Sequence, residues 1–303
     1  MGRIVNLDGT LVAPEQAVVS VFDRGFLYGD SVYEVVRTYR GVLFELPAHL
    51  DRLAESARRI ALELPWPVPR LAAESKRTVN ASGNPESYLR IVVTRGEGEL
   101  GLDPALARGG RVVLIAQPLT TPPPEAYRSG VTLALVGAEA TGRHLREAID
   151  PAAKTGNHLN AVLAMKAARE RGAYEALLVD AQGRVTEASS ANVFAVRRGE
   201  LATPPLGAGI LEGVTRRVVL ALAQQIGIPA AEAELWPDDL CRADEVFITS
   251  TTRELVPVTH LARGEKDTVT IGSGRPGPVT LRLLEAFRAR AIAEVAAART
   301  LGA

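Results

Sequence analysis

The sequence predicts a mixed α/β fold in two domains, the first smaller than the second. Three observations predict it. Apolar β-branched runs and amphipathic helical stretches alternate along the 303-residue chain. A single proline-rich stretch, Pro118-Leu119-Thr120-Thr121-Pro122-Pro123-Pro124-Glu125, interrupts that alternation. A chain of this length can bury two cores, and its 47 % hydrophobic content is that of an ordinary globular protein.

Taken in order, residues 18–22 read as a short apolar strand and 31–39 as a second, with Arg40-Gly41 turning into Val42-Leu43-Phe44. Pro47 opens a helix that lines up Leu50, Leu53, Ala57 and Ile60 on one face. Residues 71–79 read as another helix, stopped by Ser82-Gly83-Asn84-Pro85. Residues 88–94 and 111–115 are rich in β-branched side chains and read as strands. Consecutive prolines do not fit helix or sheet interiors. Residues 1–117 are therefore the small N-terminal domain, 118–127 a stiff connector, and 128–303 the large C-terminal domain. Beyond the connector, strands at 131–135, 175–179, 190–196 and 245–249 alternate with helices at 159–171, 214–226 and 278–298.

Composition excludes several classes of function. Acidic and basic residues balance at 35 each, so no global charge draws the chain to nucleic acid or to an anionic membrane. No apolar run approaches the roughly 20 residues of a membrane helix. The start, Met1-Gly2-Arg3-Ile4-Val5-Asn6, lacks a secretory stretch, and Cys241 is the only cysteine; both favour the cytoplasm. His49, His144 and His260 are scattered and suggest no metal site. Only four of the basic residues are lysines, at 76, 154, 166 and 266, so any amine chemistry must use one of them.

One motif is set aside. Gly96-Glu97-Gly98-Glu99-Leu100-Gly101 matches G-x-G-x-x-G after a strand, but Pro104 and Gly109-Gly110 leave no room for the helix that a dinucleotide site requires. It reads as a glycine loop between antiparallel strands, one that can border a pocket.

Four segments carry the chemistry. The first is Asp23-Arg24-Gly25-Phe26-Leu27-Tyr28-Gly29-Asp30-Ser31-Val32-Tyr33-Glu34, followed by His49-Leu50-Asp51-Arg52-Leu53. The second is Lys154-Thr155-Gly156-Asn157-His158-Leu159-Asn160. The third is Val185-Thr186-Glu187-Ala188-Ser189-Ser190-Ala191-Asn192-Val193-Phe194, then Gly209-Ile210-Leu211-Glu212-Gly213-Val214-Thr215-Arg216. The fourth is Phe247-Ile248-Thr249-Ser250-Thr251-Thr252-Arg253-Glu254-Leu255-Val256-Pro257-Val258. In order and spacing, over nearly the whole chain, they resemble the fold-type-IV pyridoxal-phosphate-dependent aminotransferases. These include branched-chain and D-amino-acid aminotransferases, (R)-amine transaminases and aminodeoxychorismate lyases.

The resemblance implies two domains with pyridoxal 5′-phosphate at their interface, in a homodimer or larger assembly. It implies that Lys154 holds the cofactor as a Schiff base and, once displaced, shuttles the proton. Lys166, beside Arg169 and Arg171, reads as a solvated surface lysine. Glu187 matches the carboxylate that keeps the cofactor's ring nitrogen protonated. Arg52, Thr251 and the helix start at Gly213, Val214 and Thr215 match the phosphate site. Leu211 matches the residue against one ring face. Branched-chain enzymes carry tyrosine near His158, whose imidazole can donate to the cofactor's phenolic oxygen or simply begin a helix.

For the substrate, Tyr88-Leu89-Arg90 resembles the Tyr-x-Arg of branched-chain enzymes, and strand alternation places Tyr88 with Arg90 and Tyr33 with Arg37. Thr94-Arg95-Gly96 and Ser250-Thr251-Thr252 resemble D-amino-acid enzymes instead. Arg90 and Arg95 are both candidates for the substrate carboxylate, and Tyr33, Arg37, Tyr88 and Thr252 are further candidate substrate-binding residues. The reaction expected is amino transfer between a branched-chain-like L-amino acid and 2-oxoglutarate. A D-amino-acid or (R)-amine transaminase is the alternative, and a lyase or a non-catalytic cofactor-binding regulator stands further off.

Overall fold

The structure is a computed structural model, described for residues 2–137, 150–264 and 266–301; His144 lies outside the described residues. The chain divides into two compact units. The first comprises Met1–Thr120, Ala153–Asn157 and Ala291–Ala303, the second Thr121–Ala152 and His158–Arg290.

The first unit contains β1 (Ile4–Leu7), β2 (Thr10–Val12), α1 (Arg24–Tyr28), β3 (Ser31–Tyr39), β4 (Val42–Leu43), α2 (Leu46–Arg59), α3 (Val68–Ser82), β5 (Ser87–Thr94) and β6 (Arg111–Pro118). The strands form one antiparallel sheet in the order β2-β1-β6-β5-β3-β4. Register decides its two faces. Val32 pairs with Val93 and Val36 with Leu89, and β6 continues the rows with Val112, Leu114 and Ala116. This face is buried under Leu50, Leu53 and Ala57 of α2 and Leu71 and Val79 of α3. Of the alternate residues, Tyr33, Val35, Tyr88, Arg90 and Val92 are only half-buried, while Ser31, Arg37 and Thr94 are buried. α3 ends where predicted, at Gly83 in the left-handed region (φ 63°).

The strand expected at 18–22 is absent. Val18, Val21 and Phe22 are more than half exposed, and among the described residues no strand pairs with them. Apolar composition suggested a strand, but a strand needs a partner for its backbone. The segment instead leads to Asp23, whose side chain caps α1 by accepting from Gly25 N at 2.8 Å.

The second unit contains α4 (Pro124–Arg128), β7 (Val131–Val136), α5 (Leu159–Glu170), β8 (Glu175–Val179), β9 (Val185–Ala188), β10 (Asn192–Arg197), β11 (Glu200–Thr203), α6 (Val214–Gln225), β12 (Ala230–Glu232), α7 (Pro237–Cys241), β13 (Glu245–Ser250), β14 (Glu254–Ala262), β15 (Thr268–Thr270) and the first part of α8 (Pro278–Leu301). Eight strands run β12-β11-β10-β13-β14-β7-β8-β9, with β15 on β14. α4 begins within the proline stretch because a first-turn proline loses no helical hydrogen bond. α5 packs by its small side chains: Ala164 and Ala168 are fully buried in a cluster with Ala134, Ala176 and Leu178. Phe194 and Phe247, paired in register, stack at 4.9 Å. Sequence pattern gave no strand at β14, which is buried almost throughout and contains Pro257, a residue that argues against a central strand.

The glycine loop is as expected, without a helix at 96–101. Its glycines serve close approach: a Cβ on Gly96 would lie 1.6 Å from Gly109 O. Among the described residues no helix is long and apolar enough to cross a membrane, and no His, Cys, Asp and Glu group suits a metal ion.

Candidate active site

The candidate residues are divided between the two units. In the first, β3 holds the Lys154 segment through a single antiparallel bridge between Val32 and Thr155. Tyr33 N donates to Lys154 O at 3.0 Å and Gly156 N to Ser31 O at 2.9 Å. Lys154 N donates to Ser56 Oγ of α2 at 3.1 Å. The lysine backbone is thus fixed from three sides. Its Nζ lies 4.4 Å from the centre of the Tyr33 ring, and Arg90 Cζ lies 4.1 Å from the same ring. Tyr33, Arg37, Tyr88 and Arg90 share one sheet face, since Val35 pairs with Arg90 and Arg37 with Tyr88. Arg37 is buried with its Cζ 4.1 Å from the Tyr39 ring.

On the opposite face sits Glu34, in the row of Val32 and Val36 and fully buried. His49, Arg52 and Ser56 form one stripe of α2. Arg52 clamps Glu34 with Nε at 2.6 Å and Nη2 at 2.9 Å. His49 Nδ1 donates to Glu34 Oε2 at 2.7 Å. Burial alone would raise the Glu34 pKa, but the Arg52 charge and the His49 and Arg52 hydrogen bonds outweigh it and hold it at about 2. Burial lowers the His49 pKa; Glu34 opposes this, while the Arg52 and Lys154 charges add to it. His49 is therefore neutral, with its proton on Nδ1.

Arg95 is separate from this group. Its Nε donates to Asp30 Oδ2 at 2.7 Å, Nη1 to Ala61 O at 2.7 Å and Nη2 to Ile60 O at 2.9 Å. Arg24 shares Asp30 at 3.2 Å. Burial works against the Asp30 charge, but the two arginines lower its pKa overall.

In the second unit, Glu187 Oε2 accepts from Leu211 N at 3.1 Å, and Asn192 Nδ2 donates to Leu211 O at 2.9 Å. β9, β10 and the 209–213 segment therefore meet at Leu211. Gly213 precedes α6, and no side chain caps the helix start. Val214 and Thr215 are buried in its first turn. Thr251 and Thr252 occupy the turn between β13 and β14. His158 is the residue before α5, half-buried, with no side-chain cap. A cavity of about 270 Å³ beside Val185 is lined by Arg184, Pro205, Gly207, Ala208 and Glu234, and no candidate residue lines it.

Sequence reasoning gave no role to Glu34, His49, Glu175, Asn192 or Arg253. For the two glutamates a signal existed: each is a lone carboxylate in an apolar strand, which points to a buried, paired charge.

A family model described as amino-transferase class IV matches residues 31–261. A putative branched-chain-amino-acid aminotransferase of Methanocaldococcus jannaschii is 39 % identical over 284 residues, 94 % of this chain and 95 % of that one. The D-alanine aminotransferase of Bacillus licheniformis is 35 % identical over 292 residues, 96 % and 98 % of the two chains. The solved branched-chain aminotransferase of Thermoproteus uzoniensis with norvaline is similar with a TM-score of 0.86 and 33 % identity, covering 97 % of this chain and 96 % of that one. Another solved branched-chain amino acid aminotransferase carries pyridoxamine 5′-phosphate.

Proposed function

The chain belongs to the class IV aminotransferases, and on that premise we propose that it moves an amino group between a branched-chain-like L-amino acid and 2-oxoglutarate, as a homodimer or larger assembly in the cytoplasm. The family's cofactor is pyridoxal 5′-phosphate. The residues present fit it in kind. Lys154 brings an amine, Glu187 a carboxylate for the ring nitrogen, and the uncapped start of α6 brings backbone donors for a phosphate. A Cβ on Gly213 would lie 2.0 Å from Asn192 Oδ1, so only glycine keeps that cradle open.

When bound, the cofactor supplies an electron sink for the bonds at the substrate α-carbon. Lys154 Nζ carries the α-proton, held in place by the backbone bonds to Ser31, Tyr33 and Ser56. Glu187 favours the protonated form of a nitrogen beside it. Glu34 orients the Arg52 guanidinium, which the motif assigns to the phosphate, and in the second unit Thr215 and Thr251 bring hydroxyls suited to the same group.

One observation carries the substrate choice. Arg95 is bound to Asp30 and two carbonyls, whereas Arg90 and Lys154 lie against one ring, that of Tyr33. This supports Arg90 as the ligand of the substrate carboxylate and Arg95 as a structural residue, the pattern that goes with branched-chain substrates. The D-alanine aminotransferase relative supports a second reading with D-amino acids.

Mixing the holoenzyme separately with L-Leu and D-Ala, while following cofactor absorbance, decides between them. L-Leu is expected to react faster. Arg90→Ala should cripple the L-Leu and 2-oxoglutarate half-reactions, and Arg95→Ala should lower thermal stability more than either rate. Faster reaction of D-Ala, together with Arg95→Ala as the damaging change, would favour the second reading.

A further inference from the structure

A buried ion pair in the second unit lies outside the chemistry derived above. Glu175 opens β8, a strand in which every residue is buried. A carboxylate there is costly unless paired and hydrogen-bonded. Its oxygens are met from two turns. From the 189–191 turn, between β9 and β10, Ser189 Oγ donates, as do Ser190 N at 3.0 Å and Ser190 Oγ at 3.2 Å. From the 251–253 turn, between β13 and β14, Arg253 Nη1 donates to Oε2.

Arg253 uses its other nitrogens across the same two turns. Nε donates to Ser250 Oγ at 2.9 Å, and Nη2 donates to Ser190 O at 3.0 Å and Ser190 Oγ at 2.9 Å. A lysine has no fork with which to reach all of these at once. Burial works against the Arg253 charge, and Glu175 more than restores it, raising its pKa.

The 251–253 hairpin needs such support. Ser250 pairs with Glu254, so the loop has three residues, and Glu254 closes it at φ 58°. That left-handed position ordinarily suits glycine. A larger residue persists there only where its surroundings over-determine the backbone. Here Arg288 Nε holds the Glu254 carboxylate at 2.8 Å, and Tyr127 Oη donates to Arg253 O at 3.0 Å.

The two turns carry or adjoin the proposed cofactor ligands. Glu187 lies two residues before Ser189, and Thr251 and Thr252 directly precede Arg253. We propose that Glu175 and Arg253 are positioning residues, a buried clamp that ties the two turns together and so fixes Glu187 and Thr251 toward the cofactor, a role that rests on the reading of those two residues given above.

The test measures two properties of the holoenzyme: the dissociation constant of pyridoxal 5′-phosphate by equilibrium dialysis, and the pH midpoint of its bound absorption band. Arg253→Lys keeps the charge opposite Glu175 and loses the fork. Ser190→Ala keeps both charges and serves if Arg253→Lys does not fold. Groups that orient a ligating residue are worth roughly 10- to 100-fold in affinity at metal sites. Arg253→Lys is accordingly expected to raise the dissociation constant about tenfold and to displace the midpoint. Combined with Thr251→Ala it should cost less than the product of the two single effects, because both act through one contact.

With Thr251→Ala and Glu187→Gln impaired, wild-type affinity and midpoint in Arg253→Lys and Ser190→Ala would overturn the clamp alone. So would effects that multiply fully, the mark of a merely structural role. Wild-type behaviour of Thr251→Ala and Glu187→Gln would overturn the ligand reading, and the clamp with it.

Discussion

Replacing Glu34 by glutamine removes the charge to which Arg52 and His49 are bound, with almost no change of shape. Glu34 is fully buried and accepts at 2.6, 2.7 and 2.9 Å. Its carboxyl is held at about 2 against an ordinary 4.5, a difference worth roughly 3 kcal/mol. Removing one partner of a buried pair costs about 3–5 kcal/mol. Arg52 retains 12 % exposure and can be partly rehydrated, which favours the lower end. Glu34→Gln should therefore lower Tm by roughly 5–10 °C at neutral pH. The sign with pH follows from the lowered carboxyl. Its contribution is present above 4.5 and fades as pH falls toward about 2. His49, also lowered, is neutral in the fold, so protonation of the unfolded chain removes its contribution as pH falls below 6.5. Thermal unfolding followed by circular dichroism across this range is the assay. A variant as stable as wild type at neutral pH, or a difference that persists unchanged at the acid end, would refute the reasoning.

Three further outcomes are expected. Lys154→Ala should lose turnover by at least ~10²–10⁴-fold, and borohydride trapping should label Lys154 in the wild type; a label mapped to Lys76, Lys166 or Lys266 would contradict this. Gly213→Ala should weaken pyridoxal 5′-phosphate binding, measured by dialysis, and cost about 1–3 kcal/mol of stability, because the new Cβ displaces Asn192 from Leu211 O; unchanged binding would remove α6 from the phosphate site. Light scattering at assay concentration should find a dimer or larger species, and an active monomer would count against a shared site.

Much of the architecture was legible because strands and helices announce themselves by period. β3, β5, β6 and β8 fall where alternation and β-branching placed them, and α2, α3 and α6 where apolar spacing did. Residues 18–22 misled because exposed valines mimic a strand, and pairing is not a local property. β14 was missed because its two faces are both buried, which erases alternation.

Lys154 was singled out by the sequence alone, through the scarcity of lysine and the motif around it, and so were the candidate residues near Gly213 and Thr251. Partners were not. Glu34 and Glu175 stand out in the sequence as charges among apolar residues, yet their partners lie 15, 18 and 78 positions away. Arg90 and Arg95 are five residues apart and equivalent on paper. Tertiary structure separates them: residues 30, 60 and 61 converge on Arg95, while the β3–β5 register lays Arg90 on Tyr33. Local pattern reports what a side chain is and which face it takes. Which charge it meets depends on the register and packing of segments distant in the chain, and only the folded sheet sets those.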